Sequence, residues 1–366
     1  MRIAYVISSL KVGGAEVALT QLVPRIKEKG HDVFVAFFHD GPMRARLEAA
    51  GIAVYQIKGL VGPYDPVAWW RLYRWLHALR VDLVHTSLWL ANIMGRMVGA
   101  WLKISVVSDL HGNCRAEGRI RNWGDRLTAG YTAVTIAVSE SVAVAYQAEI
   151  IGKRSIKLIT VPNAIDTNRF IKAAVKAPLG RFVFNIPDEA FVIGAVGRLE
   201  AIKGYDLLIE AFALLPSNAY LVLVGDGSCR KELELLAAER GVAERYVVTG
   251  FRSDVFRLYQ LFDCFAIASY SEGLSLALLE AMAAGCPVVT TNQTMTHDVI
   301  THGVTGLLVT TRSPGDYAAL LSQLMSVPAY GKQVGLAGQQ LVCRQHDLPQ
   351  AIDVIDAMYH SLKKSN

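Results

Sequence analysis

Two carboxylates, Glu272 and Glu280, flank an uncharged run, Gly273-Leu274-Ser275-Leu276-Ala277-Leu278-Leu279. Leu276, Leu279, Met282 and Ala283 recur at helical spacing, Gly273 and Ser275 suit a loop-to-helix entry, and Gly285-Cys286-Pro287 supplies a stop, so the segment predicts a short, half-buried helix. At ~1.5 Å rise per residue the interval spans roughly 12 Å, comparable to the separation of two sugar rings joined through a diphosphate. A carboxylate is an acceptor that can take two hydrogen bonds from a vicinal diol, so Glu280 suits a ribose and Glu272 a transferred hexose. Between them, the amides of Gly273, Leu274, Ser275 and Leu276 would face the diphosphate, where the helix dipole favours negative charge. The plainer alternative is one acidic residue complementing that dipole and a second on a solvated face.

The upstream run Val192-Ile193-Gly194-Ala195-Val196-Gly197-Arg198-Leu199-Glu200-Ala201-Ile202-Lys203-Gly204 is an apolar strand entering a turn with two cations. Arg198 and Lys203 are expected at the strand's carboxyl end, where open α/β sheets bind ligands, and a guanidinium with an ammonium matches a diphosphate. Without the Glu pair, the same two residues would read as ordinary solvated side chains. At the N-terminus, Arg2 to Ser8 reads as a buried parallel strand and Gly13-Gly14-Ala15-Glu16 precedes an amphipathic helix. Paired glycines there let backbone approach a ligand and leave amides for phosphate or acceptor.

Several chemistries lack their motif. Gly225-Asp226-Gly227 is followed at position 230 by Arg230, so it does not complete a dinucleotide-binding G-x-G-x-x-G. No G-x-x-x-x-G-K-[ST], H-E-x-x-H or Asp-x-Asp occurs, so charge neutralisation on a diphosphate is expected from protein cations, with no metal and no cofactor.

The elements that must position these residues alternate strand and helix throughout. Strands are expected near Ile3–Ile7, Val33–Phe38, Val54–Ile57, Leu83–His85, Ser105–Ser108, Thr135–Val138 and Ile159–Val161. After the polar stretch Asp166–Asp188 the pattern restarts at Phe191–Val196, Tyr220–Val224, Val247–Thr249, Cys264–Ile267, Val288–Thr291 and Gly306–Val309. Such alternation implies an α/β protein with two doubly wound, Rossmann-like parallel sheets. The 366 residues suffice for a core in each, and 52% hydrophobic content fits buried parallel strands. Expected domains are residues 1–170, 171–345 and a C-terminal helix, 346–366.

Residues 1–170 carry 21 Lys+Arg and 13 Asp+Glu, a net +8 within a chain of net +5. A basic surface suits a polyanion, either nucleic acid or an anionic membrane. The helix Val67 to Arg80 interleaves Arg71 and Arg74 with aromatic residues and could lie in a membrane interface. The preferred expectation is instead that it buries Trp69, Leu72, Leu76 and Leu79 against a sheet, leaving the arginines in solvent; Arg115, Arg119, Arg121 and Arg126 form a second basic cluster. The chain shows no uninterrupted apolar run of spanning length and no secretion signal, and its five scattered cysteines lack a C-x-x-C, which together suggest reduced thiols in a cytoplasm.

Taken in order, Gly197-Arg198-Leu199 with Lys203-Gly204, Val224-Gly225-Asp226-Gly227, Thr249-Gly250-Phe251, Glu272 through Val289 and Val161-Pro162-Asn163-Ala164-Ile165-Asp166 make the chain resemble the retaining, nucleotide-sugar-dependent glycosyltransferases of the GT-B fold, the GT4 or glycosyl transferases group 1 type. That resemblance implies two Rossmann-like domains facing a central cleft, the first binding the acceptor and the second the nucleotide sugar, with the C-terminal helix returning to the first. It implies transfer of a sugar from a nucleoside diphosphate, uridine before guanosine, to a saccharide or lipid-linked acceptor in bacterial cell-surface polysaccharide or glycolipid synthesis.

Arg198, Lys203 and Glu272 would then act at the reacting centre together with His111, which matches the family's active-site histidine. Gly13, Gly14, Phe251, Arg252, Gly273 to Leu276 and Glu280 would hold the donor. His85, on a similar strand edge, is expected to be structural. Partners would be the donor, the acceptor and an anionic membrane surface, without nucleic acid, placing the protein in the cytoplasm or peripherally on the inner membrane's cytoplasmic face. Two other readings stay open: a GT-B sugar-nucleotide epimerase or hydrolase, and a noncatalytic sugar-nucleotide-binding subunit. Ser275, where proline is frequent, and Asn292-Gln293-Thr294-Met295-Thr296, which lacks the usual glycines, depart from the family pattern.

Overall fold

Apolar, β-branched runs alternating with amphipathic helices fold as two parallel sheets in a computed structural model of the chain, which describes residues 1–59, 65–111, 118–176 and 179–363. Gly112, Asn113, Cys114 and Arg115 lie outside the described residues. Two compact units result, residues 1–163 with 348–366 and residues 164–347. The division therefore falls at 163/164 and 347/348, where the sequence suggested 170/171 and 345/346. Its cause is local pairing: Ile165 bridges Asp347, and Thr167 Oγ1 donates to Asp347 Oδ1 at 2.7 Å, which ties residues 164–170 to the second unit.

In the first unit the strands are β1 (Arg2–Ser9), β2 (Asp32–His39), β3 (Ala53–Gln56), β4 (Leu83–Ser87), β5 (Ser105–Leu110), β6 (Val134–Ala137) and β7 (Leu158–Thr160), in the order β3-β2-β1-β4-β5-β6-β7 among the described residues. Ile3 lies in register with Val33 on one side and Leu83 on the other. The helices are α1 (Gly14–Glu28), α2 (Met43–Ala49), α3 (Pro66–Leu79), α4 (Trp89–Leu102), α5 (Arg119–Thr128) and α6 (Glu140–Tyr146). Asp65 caps α3 by accepting from the Val67 amide at 2.9 Å, with Pro66 in the first turn. The helix buries Ala68, Leu72 and Leu76, with Trp69 and Leu79 partly buried against that core, while Trp70 is 56% exposed under the Arg74 guanidinium.

The second unit begins with α7 (Thr167–Lys176) and contains β8 (Phe191–Val196), α8 (Tyr205–Ala213), β9 (Ala219–Val224), α9 (Arg230–Glu239), β10 (Tyr246–Val248), α10 (Val255–Leu258), β11 (Cys264–Ile267), α11 (Leu276–Ala283), β12 (Val288–Thr291), β13 (Leu307–Val309), α12 (Pro314–Ser326) and α13 (Pro328–Gln345). Its strand order is β10-β9-β8-β11-β12-β13. A last helix, α14 (Leu348–Lys363), packs against α1 in the first unit.

In both sheets the winding reverses beside the first strand of the unit, between β1 and β4 and between β8 and β11. Open α/β sheets bind ligands at the carboxyl ends of strands beside such a reversal. Gly13 and Gly14 follow β1, while Arg198, Lys203 and Glu272 follow β8 and β11.

Candidate functional site

At the carboxyl ends of the adjacent strands β8 and β11, Lys203 and Glu272 meet: the ammonium donates to Glu272 Oε1, which also accepts from Ser269 Oγ at 2.8 Å. Both side chains are mostly shielded, at 20% and 16% exposure. A small recess lined by Val196, Lys203, Tyr205, Ser269, Glu272 and Ser275 lies at this junction. Burial, with the Glu272 charge adding to it, pushes the Tyr205 phenol well above its ordinary range, so it stays neutral.

Backbone packing holds the strand-end turns. Gly204 sits at φ +63°, and a Cβ there would lie 2.2 Å from the Ala268 carbonyl oxygen. Gly225 takes φ +147°, and its Cβ would meet the Gly197 carbonyl at 1.9 Å. These glycines let the turns after β8, β9 and β11 touch main chain to main chain. The Gly225-Asp226-Gly227 run, which lacks a dinucleotide motif, thus has a packing role: Leu199 N donates to Asp226 O at 3.0 Å. Arg198 projects from this turn exposed to solvent.

Helix α11 differs from expectation. It is buried on nearly every side, because α13 and α7 pack on it and cover the face expected to be wet. Glu280 is consequently 9% exposed, and its Oε2 accepts from the buried Tyr259 hydroxyl at 2.8 Å. A carboxylate that deep needs such a partner, which removes the solvated-face alternative for Glu280. Ser275 is the extended residue before α11 and makes no side-chain cap, so the first-turn amides are not claimed by that hydroxyl. Gly273 and Leu274 precede it in the same loop. Phe251 is 51% exposed, and Arg252 pairs with Asp254 through two bonds of 2.8 and 2.7 Å.

Arg312 gave no signal in the sequence, and Gln293 stood out only as part of a loop that departs from the family pattern. Arg312 Nη2 donates to the Ser269 carbonyl at 2.9 Å and stacks 4.1 Å over the Tyr270 ring; Gln293 Nε2 donates to the same carbonyl. The loop after β12 thus uses this glutamine to brace the turn that carries Glu272.

The first unit holds its own cluster. Gly13 is extended at the start of α1, with Val17 N donating to its carbonyl at 2.9 Å, and Gly14 opens to free space. Glu16, 7% exposed, folds back towards Gly13 and accepts from Ser9 Oγ at 2.5 Å. A buried carboxylate beside this helix start favours a hydroxyl there over a phosphate.

His111, at the end of β5, places Nε2 3.6 Å from Asp109 Oδ2, and the other Asp109 oxygen lies 2.7 Å from His85 Nε2. Ser87 Oγ donates to Asp109 at 3.0 Å. Beyond His85, Nδ1 meets the Tyr359 hydroxyl, which lies 2.9 Å from that of Tyr5. Burial alone would raise the Asp109 carboxyl, but the neighbouring imidazoles of His85 and His111 outweigh it and hold Asp109 below the usual carboxylate range. His85, expected to be structural, is the buried centre of this chain and connects α14 to the aspartate beside His111.

Residues 178–340 match the family model described as glycosyl transferases group 1, and residues 12–169 match that of glycosyltransferase family 4. A D-inositol 3-phosphate glycosyltransferase of Corynebacterium urealyticum is 28% identical over 350 residues, covering 86% of this chain and 82% of that protein. The lipopolysaccharide core biosynthesis glycosyltransferase LpsD of Rhizobium meliloti is 27% identical over 330 residues, covering 90% and 89%. Among solved structures, Anabaena Alr3699/HepE in complex with UDP-glucose superposes with a TM-score of 0.87 at 23% identity, covering 99% of this chain and 100% of that one.

Proposed function

Because the chain belongs to the glycosyl transferases group 1 of the GT4 family and folds as the family's pair of Rossmann-like units, we propose that it moves a hexosyl group from a UDP-sugar to a saccharide or lipid-linked acceptor with retention of anomeric configuration. The observation that carries this is the Lys203–Glu272 contact at the switch point of the second sheet, which sets a cation beside a carboxylate next to the start of α11, whose first turn the Ser275 hydroxyl does not cap. As the C1–O bond breaks, charge grows on the leaving diphosphate. Lys203, Arg198 and the amides from Gly273 to Leu276 stabilise it, with no metal in this role. Glu272 both fixes Lys203 and receives hydroxyls of the transferred sugar, and Glu280, oriented by Tyr259, receives the ribose.

The second unit is accordingly the donor domain, with Phe251 and Arg252 at the base, and the first is the acceptor domain. Gly13, Gly14 and His111 are assigned to donor contact from the first unit, with Glu16 as a further hydroxyl acceptor. The acceptor's proton passes to a phosphate oxygen, so no protein nucleophile is used. Uridine is supported by the HepE structure with UDP-glucose, and a cell-surface saccharide acceptor by LpsD's role in lipopolysaccharide core synthesis.

No described helix is long and apolar enough to cross a membrane. Attachment to an anionic cytoplasmic membrane face is supported by α5, where Ile120, Trp123 and Leu127 are 75%, 64% and 52% exposed at helical spacing among Arg119, Arg121 and Arg126. Thermal-shift screening against nucleoside diphosphates and their sugars, followed by NMR of the product's anomeric centre, tests the proposal. A melting point unmoved by any nucleoside diphosphate, or an inverted product, would sink it.

A further inference from the structure

The spacing of Asp356 and His360, four apart on α14, places them on one helix face, and that face meets His31 just before β2. Each of the three has a ligand atom within 4.8 Å of those of the other two. His31 Nε2 lies 2.6 Å and His360 Nε2 3.6 Å from the same oxygen, Asp356 Oδ1. The imidazole centroids of His31 and His360 are 5.4 Å apart. Side-chain exposure rises from 2% at His31 through 20% at Asp356 to 58% at His360, so the cluster has a closed floor and an open mouth where water could complete a coordination shell.

Two imidazole nitrogens and one carboxylate oxygen form a donor set for divalent transition ions, whereas calcium and magnesium prefer oxygen alone. We propose that His31, Asp356 and His360 bind a divalent transition-metal ion of the zinc class, with solvent filling the remaining positions. None of the three is assigned to the sugar donor, and the inference does not rest on the glycosyl transfer proposed above.

Metal–ligand bonds of ~2.0–2.2 Å in a tetrahedral shell set ligand atoms roughly 3.3 Å apart. Capture therefore opens the His31–Asp356 contact by several tenths of an ångström, and the exposed His360 swings inward. When the metal takes the Nε2 lone pair of neutral His31, the ring proton resides on Nδ1, which is buried without a hydrogen-bond partner. Metal-bound histidines ordinarily donate that proton to an acceptor, and lacking one costs about 10–100-fold in affinity, which places this site among moderate binders. Lys29 brings a cation nearby, but it is neutralised by Asp353 at 2.6 Å. The bound ion would join positions 325 residues apart, stapling α14 to the entrance of β2.

The full chain, stripped with EDTA and dialysed, would be titrated with zinc chloride by calorimetry and with cobalt(II) chloride by absorption. Expected results are saturable zinc binding, a zinc-dependent rise in Tm, and a cobalt spectrum without a thiolate charge-transfer band. His360→Ala, at an exposed position, should weaken zinc binding at least about tenfold and abolish the Tm response. Asp356→Asn, which keeps the side chain's shape, should do the same. No zinc binding, a thiolate band, or undiminished affinity in His360→Ala overturns the proposal.

Discussion

Lys203 and Glu272, 69 residues apart in the chain, form one hydrogen-bonded ion pair because β8 and β11 are neighbours in the second sheet. Each residue fixes the other's position before any ligand arrives, and such preorganisation is what electrostatic catalysis needs. Removing the ammonium in Lys203→Ala should lower kcat by about 10²-fold or more. Glu272→Gln keeps the shape and a donor–acceptor group while removing the charge, and it should lower kcat while leaving UDP affinity nearly unchanged. Steady-state kinetics with the sugar found by screening, and calorimetry with UDP, check both variants. Full turnover in Lys203→Ala would remove its assigned role.

The Tyr259 hydroxyl is donated to Glu280 inside the second unit. Tyr259→Phe preserves the ring that packs on Phe170 and Phe262 but leaves the buried carboxylate short of a donor. A lost hydrogen bond to a charged group costs about 1.5–3 kcal/mol, which chemical denaturation would read directly. UDP affinity should fall as well, because Glu280 would no longer be held in one orientation for a ribose. Loss of stability with unchanged UDP affinity would mean that Glu280 is structural only.

Asp109 gives a pH signature. Its carboxyl is depressed in the folded protein, so the stabilisation is complete above the ordinary carboxyl pKa of about 4 and is lost as pH falls through the lower, folded value. Asp109→Asn should cost roughly 3 kcal/mol at neutral pH, since it leaves the buried His85 without its charged partner. The gap in Tm between native protein and variant should narrow progressively below pH ~4. A gap that stays constant under acid would show that the aspartate acts by shape alone.

Gly204→Ala should be destabilising beyond its size. The residue occupies left-handed backbone, and the added methyl would strike the Ala268 carbonyl. Left-handed conformation alone costs ~1–2 kcal/mol for an L residue, and relieving the clash would pull the turn carrying Lys203 away from β11. Lower Tm together with lost turnover is expected. Gly130→Ala is the control, since a methyl there meets nothing within 4 Å and that glycine has no part in the proposed site.

The strands and their parallel pairing were legible in the sequence because runs such as Val33–Phe38 and Tyr220–Val224 are apolar, β-branched and regularly interrupted by helices. The place of Lys203 at a strand's carboxyl end was legible in the same way, but its direct contact with Glu272 was not. What stayed hidden depends on partners far away in sequence. Glu280 read as a ribose carboxylate with a solvated face as the alternative, and its burial showed only once Tyr259 supplied a donor and α13 and α7 covered the helix. His85 read as structural and is buried, but its partner could not be read, since Tyr359 lies 274 residues downstream. Glu16 stood in the sequence only as the residue before an amphipathic helix, and the fold turns it back on Gly13. Local pattern reports period and propensity, but it does not report which buried polar group will find which partner.

The place of α14 has a bearing on biosynthesis. Residues 164–347 emerge from the ribosome as one uninterrupted stretch and can fold as soon as they are clear, whereas the sheet begun by β1 waits for Tyr359 to seal Tyr5 and His85. Strand β1 is thus finished only after α14 is made. A chain truncated before α14 would keep residues 164–347 whole and leave Tyr5 and His85 without the Tyr359 hydroxyl.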